Sequence, residues 1–183
     1  ADIDGDRKAD IVGFGKERVW ASRSIGDGRF TVVAPAVQNF ATDQGWTPEK
    51  HVRLLADING DGNADIVGFG AAGVWTALSN GNGRFAPAQL VIANYGSDQG
   101  WTLAYQRTVA GISTDGRDDL LAFGDAGLWT ALATGNGGFA AARFACGGGF
   151  DFNLTVVRQI HCLFGCADPR DFREGVLLRH GRV

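Results

Sequence analysis

The sequence predicts an all-β protein built of β-propeller blades, about three four-stranded antiparallel units that form part of a larger or assembled propeller. Three observations carry this expectation. One passage is written three times: Asp2-Ile-Asp-Gly-Asp-Arg-Lys-Ala-Asp-Ile-Val-Gly-Phe-Gly15 returns as Asp57-Ile-Asn-Gly-Asp-Gly-Asn-Ala-Asp-Ile-Val-Gly-Phe-Gly70 and, altered, as Gly111-Ile-Ser-Thr-Asp-Gly-Arg-Asp-Asp-Leu-Leu-Ala-Phe-Gly124. The step is nearly constant, 55 residues from Phe14 to Phe69 and 54 from Phe69 to Phe123, with Trp20, Trp75 and Trp129 in phase. Between the copies, short β-branched runs are separated by Gly, Asn and Asp turns, and no pattern of helical period and useful length competes. A period of this size means stacked supersecondary units.

The elements follow in order within one period. Ala64 to Phe69, Val74 to Ser79, Phe85 to Asn94 and Trp101 to Ile112 are expected strands, and four antiparallel strands in this length make one blade. Asn80-Gly-Asn-Gly83 and Gly135-Asn-Gly-Gly138 are turns that need positive φ, which Gly and Asn supply at low cost. The sequence units run over 1–55, 56–109 and a degenerate 110–160, followed by an irregular tail at 161–183. In the second unit a strand from His51 to Ala56 precedes the acidic passage, whereas Ala1 opens at the passage itself. The first sheet is therefore expected to lack one strand. At this period the 183 residues make about three blades where closed propellers have about four to eight. The ring is expected to be completed by further chain or by self-assembly of short chains, because unpaired sheet edges are an aggregation liability. The absence of Met and the opening inside a repeat point to a piece of a longer polypeptide.

Composition narrows the function. A net charge of −3 gives no electrostatic reason to bind nucleic acid or an anionic membrane. No apolar run approaches the eighteen or so residues of a spanning helix, so membrane insertion is not expected. Catalysis finds no frame: His51, His161 and His180 are the only histidines, and none sits in a recognisable catalytic motif. An enzyme is not expected. Cys146, Cys162 and Cys166 fall in the irregular end without a CxxC pair, which speaks against a zinc set with His161. Phe152 and Arg158 echo Trp101 and Arg107, with Val156 where the earlier copies carry His51 and Tyr105.

The acidic passages carry metal chemistry. Asp2, Asp4, Asp6 and Asp10 stand at relative positions 1, 3, 5 and 9, and Asp57, Asn59, Asp61 and Asp65 repeat the spacing. Odd spacing in a tight loop turns successive oxygens toward one centre, and Gly60 and Gly62 permit the bend. Hard oxygen donors without His or Cys suit Ca²⁺. The Glu that closes an EF-hand loop is missing, and strands rather than helices flank the loop. In the third passage Gly111 and Ser113 replace two donors, leaving Asp115 and Asp119, so weak binding or none is expected there.

The pattern Asp-x-Asp/Asn-Gly-Asp-x-x-x-Asp-Ile-Val-Gly-Phe-Gly, followed by Val-Trp, resembles the FG-GAP or VCBS-type repeat of integrin-like propellers. The stretches Gly45-Trp46-Thr-Pro-Glu-Lys-His51-Val-Arg53 and Gly73-Val-Trp-Thr-Ala-Leu-Ser-Asn-Gly-Asn-Gly-Arg-Phe85 are similar to blades of the Psathyrella velutina lectin type. The resemblance implies calcium in the acidic loops and N-acetylglucosamine-type glycans held between adjacent blades. Glycans, including those of glycoproteins, are then the expected partners, and calcium use fits a secreted or extracellular setting. A sugar pocket needs an aromatic face and nearby hydrogen-bonding groups. Trp46, His51 and Arg53 are ranked first, and Trp101, Tyr105 and Arg107 second. Trp20, Trp75 and Trp129 are read as wedge packing between sheets, and Arg53 and Arg107 have a second reading as ties between neighbouring blades. The alternative function is a non-catalytic adhesion or protein-interaction scaffold with calcium-binding blade loops.

Overall fold

In the second sheet the Ile-Val-Gly-Phe run does not alternate between apolar and polar residues because both of its faces are covered. In the computed structural model, which describes residues 1–147, every residue of the second copy of this strand is buried. Side chains on a strand alternate between faces. Ile66 accordingly joins a core with Ile3, Val19, Phe40 and Trp46, while Val67 and Phe69 join another with Tyr95, Leu120 and Ala122. One strand thus walls two cores, and burying each large side chain contributes about 1.5–3 kcal/mol. The expectations for Phe152, Val156, Arg158, His161, Cys162 and Cys166 fall outside the described residues.

Three antiparallel sheets follow one another along the chain. The first contains β1 (Ile11–Phe14), β2 (Val19–Ser22) and β3 (Ala34–Val37), in that order. The second contains β4 (Val52–Ala56), β5 (Asp65–Phe69), β6 (Val74–Ala77) and β7 (Gln89–Ile92), and the third β8 (Arg107–Ala110), β9 (Asp119–Gly124), β10 (Gly127–Ala131) and β11 (Arg143–Cys146). Each is a simple meander, and the first has three strands where its neighbours have four. The strand before an acidic loop pairs with the strand after it, so the second sheet begins at Val52, inside the first sequence unit. First strands β4 and β8 of successive sheets adjoin. This is the blade arrangement of a propeller, as expected.

The strands expected over Ala64 to Phe69 and Val74 to Ser79 are trimmed to Asp65–Phe69 and Val74–Ala77, and two others are much shorter than the sequence suggested. Of Phe85 to Asn94 only Gln89–Ile92 is strand, because Phe85 is spent closing the hairpin opposite Ser79 and Pro87 has no N–H to pair. Of Trp101 to Ile112 only Arg107–Ala110 is strand; the segment before it turns through Thr102 N–H to Gly100 O and Tyr105 N–H to Thr102 O. Two short 3₁₀ turns, Thr42–Gln44 and Ser97–Gln99, were not anticipated. Each begins a linker to the next sheet and clasps the hairpin of the sheet just completed: Thr42 and Asp43 donate to Gly15 and Lys16 carbonyls, and Ser97 and Asp98 to those of Gly70 and Ala71.

Candidate functional site

The acidic loops are held by their own backbone before any ion is considered. Asp2 accepts N–H bonds from Asp4, Gly5 and Arg7, and Asp57 from Gly60 and Gly62. The ninth-position aspartate of every loop is a strap. Asp10 accepts from Ile3 and Ser24, Asp65 from Ile58 and Ser79, and Asp119 from Ile112, Ser113 and Ala133. Each strap ties its loop to the end of the following hairpin. Burial pushes the Asp65 carboxyl up to about 7, against the opposing pull of the Ser79 and Ile58 N–H groups.

The first loop fits a hard cation. Carboxylate oxygens of Asp2, Asp4 and Asp10 lie within 4.8 Å of one another, the first two half-buried and the third buried. Asp6 stands apart, ion-paired with Lys8 at 2.5 Å, which differs from its expected place in the donor set. In the second loop Asn59 replaces Asp4, so the matching trio has two carboxylates, and Asp61 accepts from the side chains of Asn59 and Asn63. In the third loop Arg117 Nη2 reaches Asp115 at 2.6 Å, the same pairing that Lys8 and Asp6 make in the first loop. The loops are also joined in one register, Ala64 N–H to Asp2 O at 2.7 Å and Asp118 N–H to Asp57 O at 2.8 Å.

The aromatic residues singled out by spacing divide into two groups. Trp46 is interior, 6% exposed, against Phe40 at a centroid distance of 4.9 Å, with its indole N–H donated to Asn39. Its ring occupies the space left by missing side chains, since a Cβ on Gly68 would stand 2.7 Å from it and one on Gly70 2.9 Å. His51 is likewise buried, its Nδ1 accepting the Thr47 N–H at 3.1 Å. Burial, then the positive charges of Arg53 and Lys50, hold its pKa below the usual histidine value. Arg53 donates to the carbonyls of Phe40 and Trp46 and lies 5.0 Å over the Phe14 ring of the first sheet. Of the first-ranked sugar set, Trp46 and His51 thus lie in the interior and Arg53 is half-buried at the junction of two sheets.

The second-ranked set is partly open. Blade three carries Ala122 where blade two has Gly68, so the indole cannot sink to the same depth, and Trp101 stays half-exposed. It rests against Tyr95 at 5.0 Å and Tyr105 at 5.8 Å. The Tyr105 hydroxyl donates to Asp125 at 2.7 Å, and this bond raises the phenol pKa. Arg107 is 3% exposed, donates to the carbonyls of Tyr95 and Thr102, and lies 5.5 Å over the Phe69 ring of the second sheet.

Trp101 and Tyr105 share a cleft of about 250 Å³ with Gln99, Asp125 and Trp129. Trp129, expected to be a packing wedge, packs against the second core and also borders the cleft, with Phe144 5.2 Å away and a register shift between Leu128 and Trp129. The same shift recurs at Trp20 and Trp75. Asp125 and Trp129 were missed because the reading looked for what repeats. The available signal was a departure: Ala71 in blade two becomes Asp125 in blade three, three residues after the Gly68-to-Ala122 change.

Comparison with known proteins bears on these features. Residues 2–68 match the FG-GAP-like repeat family model. Among solved structures, the chain is similar to an Agrocybe aegerita lectin described for specific recognition of non-reducing terminal N-acetylglucosamine, at 41% identity and a TM-score of 0.76. The match covers 78% of this chain and 36% of the lectin, so the chain spans little more than a third of that protein. A Photorhabdus luminescens Tc holotoxin pore shares the fold alone, at 21% identity and a TM-score of 0.54 over 74% of this chain and 6% of that one. Curated protein sequences give no match.

Proposed function

We propose that this FG-GAP-like repeat chain, similar to the blades of an N-acetylglucosamine-recognising lectin, is a calcium-stabilised, non-catalytic carbohydrate-binding propeller. The observation that carries the reading is the third-sheet cleft. Trp101 and Trp129 offer apolar faces to the C–H side of a pyranose ring. Asp125 already accepts the Tyr105 hydroxyl, and its remaining lone pairs can accept a sugar hydroxyl or the N–H of an N-acetyl group. The Gln99 side chain adds both a donor and an acceptor at the rim. This chemistry suits N-acetylglucosamine-type ends of glycans, glycoproteins included, in an extracellular setting.

Asp2, Asp4 and Asp10 would hold the calcium ion. When bound, the ion cancels the mutual repulsion of three converging carboxylates and fixes the corner between sheets. Binding restricted to the folded state raises the melting temperature.

The reading is tested by glycan binding with calcium present. Terminal N-acetylglucosamine should be retained, and Trp129→Ala and Asp125→Asn should each weaken it by about tenfold, equivalent to ~1.4 kcal/mol. Trp46→Ala should act through folding stability instead. A folded sample that binds no glycan rejects the lectin reading in favour of a protein-contact scaffold.

A further inference from the structure

Trp20, Trp75 and Trp129 hold one place in the repeat, and the chain surrounds them differently. In the first sheet the Arg18 guanidinium lies 5.7 Å over the Trp20 ring, and its Nη2 is 3.8 Å from Glu17. A cation beside an aromatic face and a carboxylate is thus built into the chain itself. Along the hairpin, the counterparts of Lys16 and Arg18 are Ala71 and Gly73 in the second sheet and Asp125 and Gly127 in the third. No side chain could reach over Trp129 from that last position: Gly127 has a φ of 133°, and an added Cβ would stand 2.2 Å from Cys146 O. The third sheet therefore pairs a half-exposed ring with a carboxylate and supplies no cation of its own there.

Trp101, Tyr105, Trp129 and Asp125 border one cleft, and no Lys or Arg lines it. The planes of Trp101 and Tyr105 meet at 70°, so these rings form a corner rather than a stack. Asp125 Oδ2 holds the Tyr105 hydroxyl at 2.7 Å, which fixes the carboxylate beside that corner. Among the described residues no Lys or Arg is ion-paired with Asp125. Ring faces carry negative potential and the carboxylate a full negative charge, so walls of this kind attract a cation. A primary ammonium is strongly hydrated and brings three N–H donors that need acceptors. A quaternary ammonium has no N–H to satisfy, and its methyl groups pack directly on aromatic faces. Three aromatic side chains with a single carboxylate and the Gln99 amide suit the second kind. In the second sheet the sunken Trp46 and the small Ala71 build no such corner.

We propose that the third-sheet cleft is a binding site for a small quaternary ammonium ion of the choline type. Such an ion would use the cleft assigned above to a sugar, but its binding turns on charge and does not rest on that reading. Calorimetric or NMR titrations of the full chain would use choline, its uncharged isostere in which a carbon replaces the ammonium nitrogen, and N-acetylglucosamine in parallel. Choline should bind saturably and about tenfold more tightly than the isostere, and added salt should weaken choline alone. Trp129→Leu keeps apolar bulk and removes the ring's negative face. It should lower choline affinity by about tenfold and leave the isostere nearly unchanged, whereas a merely loosened fold would weaken both. Asp125→Asn should weaken choline and remove most of its salt dependence. Choline that does not saturate, or an isostere bound as tightly as choline, would overturn the cation site, and retention of N-acetylglucosamine by the same sample would leave the lectin reading standing. Choline bound while N-acetylglucosamine is refused would support the cation site and reject the lectin reading. Choline affinity unchanged by both substitutions would overturn the assignment to this cleft.

Discussion

Gly68 and Ala122 occupy the same place in successive sheets and decide how deep a tryptophan sits. At Gly68 an added Cβ would meet Trp46 at 2.7 Å and Phe40 at 2.8 Å. Gly68→Ala should therefore overpack the first core, costing about 1–3 kcal/mol, and thermal melts should show a lower midpoint. The reverse change is more informative for function. Ala122→Gly removes the methyl that keeps Trp101 shallow, so the indole should sink toward the depth of Trp46 and the third-sheet cleft should lose its aromatic wall. Glycan affinity should fall further than the ~0.5–1 kcal/mol that a strand glycine costs in stability. Affinity that survives while stability falls would show that Trp101 depth does not govern the cleft. A similar economy of one atom operates at Asn39 and Asn94, each of whose Oδ1 accepts both a backbone N–H and a tryptophan N–H. The residues between, Phe40 and Tyr95, are held at positive φ, 59° and 65°.

At the scale of elements, the acidic loop is both a turn and a metal site, and pH separates the two roles. In the metal-free protein the Asp65 carboxyl titrates at about 7 because it is buried, whereas an unfolded aspartate titrates near ~3.9. Between these values the folded chain holds the proton and the unfolded chain has lost it. The contribution of this group to stability is thus fully present below the unfolded value and is lost as pH rises through about 7. Calcium at the second loop would compete with that proton. With chelator the melting temperature should carry a component that declines from pH ~4 to about 7, and the gain on adding calcium should widen over the same range. A gain that is flat or shrinks with pH would remove Asp65 from the metal site. The loops and the strands after them were legible because their spacing and apolar content recur. The linkers were less so: Trp101 to Gln106 has the aromatic content of a strand, yet it is bent into a turn by bonds among Gly100, Thr102 and Tyr105 and by the hold of Arg107 on Thr102. No local propensity encodes a carbonyl's distant partner. The depth of Trp46 was hidden for the same reason, since glycines twenty or more residues away make its seat.

Across the whole molecule, the sheets are coupled by a few polar contacts laid over the apolar junctions. The loop-to-loop bonds run in constant register, and Ser79 Oγ reaches Ile3 O at 2.6 Å. Arg53 and Arg107 do the same work at the linkers, each capping carbonyls of the linker before its own strand while its guanidinium lies over a phenylalanine of the previous sheet. Repeat architectures are stabilised by such nearest-neighbour junctions, and cooperativity fails where a junction is weakened. Arg107→Met keeps much of the aliphatic bulk but leaves the Tyr95 and Thr102 carbonyls without their donor. An unsatisfied buried acceptor costs about 1–3 kcal/mol, so the loss here should be of at least that order. Because the damage lies at the junction of the second and third sheets, it should also divide the unfolding. Urea titrations followed by tryptophan fluorescence and by far-ultraviolet circular dichroism should coincide in the parent protein and separate in Arg107→Met. Glycan affinity should fall as well, although Arg107 does not line the cleft, because the Thr102 turn carries Trp101 and Tyr105 into place. Coincident transitions at an unchanged midpoint would mean that the apolar junction alone joins these sheets.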